Sequence, residues 1–290
     1  MKRFTWDFGC DCNFRCSYCF FTKAGWDNII RLHAVEKSAE TIEEAWKNIF
    51  GKYGKVRLYL TGGEPFLYRG FAGIVSKLSK YHDIHITTNL SLPVEEFIDK
   101  IDPLKVELNS TFHPLHSNPK TFAGNVARLR NAGFSCGVCY LAHPGQLKEM
   151  LNYKKYFKSV GIDMAVTLFW GDFGGREYPS AYTCEEKEYL EYCEKWSEDV
   201  DEYDLLFNNI ESSITFGALQ TNIEEIREGT FCGAGRDYAV VGVNGDVRPC
   251  GQSPGPILGN IYTGDVDLFS KAFECPVKHC RFRESDYEPE

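Results

Sequence analysis

The chain begins Met1-Lys2-Arg3-Phe4-Thr5-Trp6-Asp7, with no apolar stretch of the kind that directs secretion, and no later apolar run approaches the roughly 20 residues that span a bilayer. A cytoplasmic setting with no membrane partner is the expectation. Basic stripes interleaved with aromatic residues are also missing, which argues against nucleic acid as the main partner. No internal repeat and no low-complexity tract interrupts the chain.

Cysteine, by contrast, is plentiful, with 12 residues. In a reducing compartment, clustered thiols more often bind metal or carry redox chemistry than form structural bridges, so a disulfide framework is set aside. With 290 residues, 43% of them hydrophobic, the chain can bury enough core for one large domain and a small appendage, and it does not need metal in order to fold. The net charge of -9 is spread unevenly. Over 185–204, acidic residues far outnumber Lys187 and Lys195, while Tyr189, Cys193, Trp196 and Val200 recur at helical spacing. That pattern predicts one amphipathic helix with a solvated acidic face.

Short β-rich runs alternate with helical stretches over the first two-thirds of the chain, which predicts an α/β fold with a parallel sheet. The predicted strands are 4–8, 56–60, 84–88, 106–110, 135–141 and 164–170, and the predicted helices 41–50, 71–81, 94–100, 121–132 and 146–160. Gly133 and Gly161 stand where two of these helices should end. In parallel barrels, chemistry gathers on the loops that follow the strands. Here those loops carry a cysteine cluster, then Thr61-Gly62-Gly63-Glu64-Pro65, Thr88-Asn89, a stretch with His113 and His116, His143-Pro144, and Gly171-Asp172. From about residue 206 the rhythm stops, giving an expected division into 1–205 and 206–290, with short strands such as 238–243 in the second part.

Within the first loop, Cys12, Cys16 and Cys19 have the spacing C-x3-C-x2-C, with Cys10 just outside it. A structural zinc ion would need a fourth ligand, which Cys10 can supply. Three thiolates on one loop also suit a 4Fe-4S cubane with one open iron, able to bind a substrate or cofactor.

This loop resembles that of the radical S-adenosylmethionine (radical SAM) superfamily, whose fingerprint C-x3-C-x-aromatic-C is present as Cys12, Cys16, Tyr18 and Cys19. A second motif of that family, GGEP, is present as Gly62-Gly63-Glu64-Pro65. The resemblance implies a partial barrel of six βα units. It also implies a cluster on the three cysteines and S-adenosyl-L-methionine chelating the open iron, with the GGEP segment holding the methionyl amino group. Reductive cleavage would then give a 5′-deoxyadenosyl radical that abstracts hydrogen from substrate, chemistry the cofactor supplies while the protein positions and shields it. Ribose and carboxylate contacts by resemblance fall to Asn89, Asn109 and Ser110. His113, His116, His143 and Asp172 are expected at the open end, able to bind substrate or move protons.

The tail holds Cys232, Cys250, Cys275 and Cys280, arranged as Cys-x12-Gly245-x4-Cys, Leu258-Gly259-Asn260-Ile261 and then CPVKHC. On chemistry alone, four thiols fit a zinc ribbon or a capped cluster equally. The arrangement resembles the SPASM extension and its shortened form, Twitch, which implies one auxiliary 4Fe-4S cluster and a second cluster in total. The closing C-x4-C departs from the C-x2-C usual there. Cys136 and Cys139, three apart in the fifth strand, should point to opposite faces, one of them toward the barrel interior as a possible hydrogen donor. The resulting expectation is an oxidoreductase that dehydrogenates a polar small molecule, such as a sugar or aminocyclitol, with electrons from a donor such as flavodoxin or ferredoxin. The alternative is an epimerase or other modifier of a ribosomally made peptide.

Overall fold

Alternating large apolar residues build the first strand, β1 (Arg3–Gly9), in which Phe4, Trp6 and Phe8 are buried on one face. In this computed structural model the described residues are 1–19, 37–196, 225–226, 231–251, 255–275 and 279–280. After β1 comes α1 (Ala39–Tyr53), started by Ser38, whose side chain accepts from Thr41 N–H, and stopped by Gly54 in a left-handed φ of 73°. Its buried residues, Ile42, Ala45, Trp46 and Ile49, recur at i, i+3, i+4 and i+7, which gives the helix one core-facing stripe.

The same unit repeats. β2 (Arg57–Gly62) leads to α2 (Phe71–Leu78), β3 (Asp83–Thr88) to α3 (Glu95–Lys100), and β4 (Val106–Phe112) to α4 (Pro119–Asn131). β5 (Ser135–Ala142) is followed by α5 (Met150–Ser159), and β6 (Ala165–Leu168) by a hairpin of β7 (Gly171–Phe173) and β8 (Arg176–Tyr178), then α6 (Cys184–Lys195). The strands β1 to β6 lie side by side in chain order, all parallel, as the open sheet of a partial barrel. Six predicted strands are six observed strands. Parallel neighbours require crossovers, and the helices that supply them cover the apolar face.

The tail is joined to this sheet. Beyond the short strands β9 (Glu225–Ile226) and β10 (Phe231–Cys232), β11 (Tyr238–Val241) pairs parallel with β1, Arg3 opposite Tyr238 and Trp6 opposite Val241. β12 (Val247–Arg248) pairs antiparallel with β11, and β13 (Phe273–Glu274) with β10. β14 (His279–Cys280) pairs with β9. The boundary expected at 205/206 lies outside the described residues. No helix among the described residues is long and apolar enough to cross a membrane.

Three predicted elements differ. The helix expected over 146–160 is split into a 3-10 segment, Pro144–Glu149, and α5, because His143 caps the first turn by accepting from Gly145 N–H and Pro144 fixes its φ. The acidic helix ends at Lys195, and Trp196 has extended backbone; Val200 lies outside the described residues. The sixth strand is shorter than 164–170, because Gly171, Gly174 and Gly175 adopt positive φ and turn the chain into the β7–β8 hairpin.

Trp46 is the centre of the core beneath β1. It is fully buried, edge-on to Phe4 at 5.7 Å and tilted against Trp6 at 5.3 Å. Trp46→Ala should therefore cost about 3–5 kcal/mol of stability. Urea denaturation checks this, and a loss below about 1 kcal/mol would mean that the site is not tightly packed.

Candidate active site

Two glycines bring the ends of β1 and β2 into contact. Gly63 N–H donates to Gly9 O at 2.7 Å and Glu64 N–H to Asp11 O at 2.7 Å. A Cβ on Gly62, whose φ is 123°, would overlap Gly9 O, and one on Gly63 would overlap Asp11 O. Only glycine allows this approach. The next residue, Glu64, turns inward and is 3% exposed. One carboxylate oxygen accepts from Phe66 N–H at 3.1 Å and Thr88 Oγ1 at 2.7 Å, and the other from Asn89 N–H at 2.7 Å. Glu64 thus ties the end of β2 to the end of β3, and Pro65 starts a short 3-10 turn behind it.

Above this contact lies a cavity of about 300 Å³ at the C-terminal ends of β1 to β5. Cys12, Cys16 and Cys19 line it together with Tyr18, Gly62, Gly63, Asn89 and His113. The loop is held by short contacts: Arg15 donates to Cys12 O, Phe14 N–H donates to the Cys12 sulfur at 3.4 Å, and Cys19 N–H donates to Cys16 O at 3.0 Å. Asn89 Nδ2 donates to Asn13 Oδ1 at 3.0 Å and lies 3.8 Å from the Cys12 sulfur. Burial pushes the Cys12 thiol up to about 11.

Aromatic and imidazole rings pack beside the thiols, with His113 Nδ1 3.9 Å from the Cys16 sulfur. The Tyr18 hydroxyl is 2.8 Å from His113 Nδ1, and burial drives His113 down to about 4, so the ring is neutral. Tyr18 also lies against His143 at 4.7 Å, which in turn contacts Phe169 and Phe173. His143 Nδ1 accepts from Gly145 N–H, so the neutral ring carries its proton on Nε2, a buried atom with no hydrogen-bond partner. His116 is exposed and stacks on Phe14 at 5.2 Å, outside the cavity lining. Asp172 is exposed on β7.

Strand alternation sorts the remaining candidates. Asn109 and Ser110 are adjacent in β4 and point to opposite faces. Ser110 faces the helices, fully buried, and donates to Gly137 O at 2.7 Å, so it does not line the cavity. Its neighbour Thr111 does. Asn109 lies one layer lower on that side, against Gly137. Cys136 packs beside Ser110, whereas Cys139 sits 3.2 Å from Thr111 Oγ1 on the cavity side. Thr61, Thr87, Thr111 and Leu141 complete the lining. The signal for them was the two-residue period itself.

In the tail, Cys232 and Cys250 meet in a small apolar cluster with Ala234 and Tyr238, and Cys275 is buried just after β13. Cys280 stands on β14. Among the described residues, no three His, Cys, Asp or Glu side chains converge on a point that would hold a single metal ion. A zinc ion with Zn–S bonds of about 2.3 Å would draw its sulfurs to within roughly 4 Å of one another. Three cysteines lining one cavity suit a multi-iron group with one open iron. Cys10 is buried and is not among the lining residues.

Comparisons with known proteins agree with this geometry. The Radical SAM superfamily model matches residues 6–153. GTP 3',8-cyclase of Aquifex aeolicus (strain VF5) is 28% identical over 168 residues, 53% of this chain and 52% of that protein, so the chain spans about half the length of this curated relative. Among solved structures, anSMEcpe with bound AdoMet and Cp18Cys peptide aligns with a TM-score of 0.58 at 16% identity, covering 90% of this chain and 77% of that one. Streptococcus suis SuiB bound to precursor peptide SuiA aligns with a TM-score of 0.53 at 15% identity, covering 91% and 64%. At these identities the structural likeness bears on the fold.

Glu64 provides a pH test. Burial pushes its carboxyl from an ordinary 4.5 up to about 6, against three donors that hold it down. A raised folded value means that its stabilising contribution is full below about pH 4.5 and is lost as pH rises through about 6, a change of about 2 kcal/mol. The stability of wild type relative to Glu64→Gln should fall by that amount between about pH 4 and pH 7 in urea titrations. A relative stability that rises with pH instead would show that the three donors outweigh burial.

Proposed function

The chain belongs to the radical SAM superfamily, which implies a 4Fe-4S cluster and S-adenosylmethionine, and we propose that it uses them to abstract hydrogen from a polar small molecule. The observation that carries this reading is the convergence of Cys12, Cys16 and Cys19 with His113, Asn89 and the Gly62-Gly63 backbone on one cavity of about 300 Å³. That volume lies at the low end of the roughly 300–1,000 Å³ usual for ligand sites. When bound, cluster and S-adenosylmethionine supply one electron and a hydrogen-abstracting radical. The three thiols would hold the cluster, and the Gly62-Gly63 backbone would face the cofactor's amino group. Glu64 supports that backbone from behind, and Asn89 fixes the loop at Asn13. His113 and Tyr18 line the cavity, Asn109 is proposed to contact the cofactor, and His116, His143 and Asp172 are proposed to act on substrate from its margins.

Polar small molecules are favoured because a curated relative is named for GTP, and because threonine hydroxyls and the His113 imidazole line the cavity. Dehydrogenation is the proposed outcome: the substrate gives up one hydrogen atom, then one electron and one proton. The tail, residues 206–290 as a second unit, would take that electron on an auxiliary cluster at Cys232, Cys250, Cys275 and Cys280. A flavodoxin or ferredoxin would supply the first electron. A second reading, peptide modification, is favoured by the likeness to SuiB bound to its precursor peptide and to anSMEcpe bound to a peptide. In that case Cys139, on the cavity side of β5, is the thiol placed to return a hydrogen atom.

Anaerobic reconstitution with iron, sulfide and S-adenosylmethionine tests the division of labour. Changing Cys12, Cys16 and Cys19 together to Ala should abolish 5′-deoxyadenosine release while leaving iron bound by the tail; continued release would end the reading. Once a substrate is in hand, product mass in D2O separates the two outcomes. A product lighter by two hydrogens supports dehydrogenation, whereas an isomer carrying one deuterium supports hydrogen return by a thiol.

A further inference from the structure

His143 and Gln146 stand at the two ends of one tight turn after β5. Gln146 N–H donates to His143 O at 2.9 Å, and a 3-10 turn places positions i and i+3 above one another. Both residues are 5% exposed, and each has one polar atom left over: His143 Nε2 and Gln146 Oε1 have no hydrogen-bond partner among the described residues. The bonds made by their other atoms fix what these two can do. His143 Nδ1 accepts from Gly145 N–H at 3.2 Å, which an imidazolium could not do, so the ring is neutral and Nε2 carries the proton. Gln146 Nε2 donates to Leu141 O at 2.8 Å, which identifies the other end of the amide as the oxygen. One turn therefore holds a free donor and a free acceptor, both buried.

Buried polar atoms without partners are rare in folded proteins, so their surroundings indicate what meets them. Leu141, whose carbonyl holds Gln146, lines the cavity, as does Tyr18, whose ring lies against His143 at 4.7 Å. The other neighbours of His143 are the rings of Phe169 at 4.8 Å and Phe173 at 4.4 Å. A partner for the pair must accept from Nε2 and donate to Oε1. An ammonium group satisfies only the glutamine and a carboxylate only the histidine, and each leaves the second atom facing a like group. Aromatic walls favour a planar ring. The edge of a purine meets both demands, because it carries a hydrogen-bond donor and an acceptor side by side.

Resting on the reading of this cavity as the cofactor and substrate site, we infer that His143 Nε2 and Gln146 Oε1 read the edge of a purine, the histidine donating to its acceptor and the glutamine accepting from its N–H. Two bound molecules can supply such a base, S-adenosylmethionine through its adenine or a substrate nucleoside, and the chemistry of recognition is the same for both. The base reaches the pair by displacing Phe173. That ring is 41% exposed on the β7–β8 hairpin, whose two strands pair only with each other among the described residues. His143 and Gln146 are specificity residues in this scheme, and neither transfers a proton.

The test compares ligands that differ only along that edge. Wild type, His143→Asn and Gln146→Met are reconstituted anaerobically with iron and sulfide and left unreduced, and affinities are read by isothermal titration calorimetry. S-adenosylhomocysteine is set against S-inosylhomocysteine, in which a carbonyl replaces the amino donor and an N–H replaces the ring acceptor. Guanosine is set against 1-methylguanosine, which lacks the ring N–H, with S-adenosylhomocysteine already bound. His143→Asn keeps an oxygen that can accept from Gly145 N–H, so the turn stays capped. Wild type should prefer the unaltered ligand of one pair by about 5- to 150-fold, and both variants should lose most of that preference. Loss in the first pair assigns the two atoms to the cofactor's base, and loss in the second assigns them to a substrate's. A preference absent from wild type in both pairs, or kept by either folded variant, overturns the inference and leaves the two atoms to ordered water. Where Gln146→Met fails to fold, His143→Asn decides alone. Because the protein is never reduced, no outcome depends on radical formation, which 5′-deoxyadenosine release tests separately.

Discussion

The contact of the Gly62-Gly63 backbone with Gly9 and Asp11 sets the geometry of everything above the sheet. Two backbone hydrogen bonds of 2.7 Å hold the end of β2 against the start of the cysteine loop, at a separation that any side chain would break. Glu64 extends the contact to β3 by giving its carboxylate to Thr88 and Asn89. Asn89 in turn bonds Asn13 inside the loop. The loop is thus anchored at three successive strands, and its thiols face one cavity because its backbone has little freedom to turn elsewhere.

The burial of Glu64 explains why a carboxylate belongs here. A neutral amide at this position would set its own N–H groups against the Asn89 N–H, whereas a carboxyl group can accept from all three donors. The same burial raises the carboxyl's affinity for a proton, so the clamp combines geometric precision with electrostatic cost. Sites that hold strained or costly groups do so because surrounding packing is strong, and the adjoining strand β1 is packed by the fully buried Phe4 and Trp6 against Trp46.

The tail contributes to the same constraint from the other side. By pairing β11 with β1, it fixes the strand that carries the cysteine loop between two neighbours. An edge strand would leave backbone groups open and the loop's root less constrained. Lys52 and Tyr53 of α1 add further ties, reaching Val266 O in the tail at 2.6 and 3.0 Å. The tail and its cysteines are therefore tied mechanically to the first strand of the barrel.

The fold class, the six strands, the cysteine loop and the GGEP segment were legible in the linear sequence, because they rest on local rules: residue period, glycine at helix ends and short-range motif spacing. Asn109 and Ser110 were both expected at the cofactor, and only the known interior face of β4 separates them and locates the cavity threonines. The pairing of β11 with β1 was not legible, since four apolar residues such as 238–241 do not encode which distant strand they join. The inward turn of Glu64, the Tyr18 contact with His113 and the unpartnered Nε2 of His143 were equally hidden. Each depends on residues far apart in the chain meeting at the ends of parallel strands. Composition and spacing determine which groups are available, and only the packed sheet decides which of them touch, because burial and hydrogen bonding act through space and not along the chain.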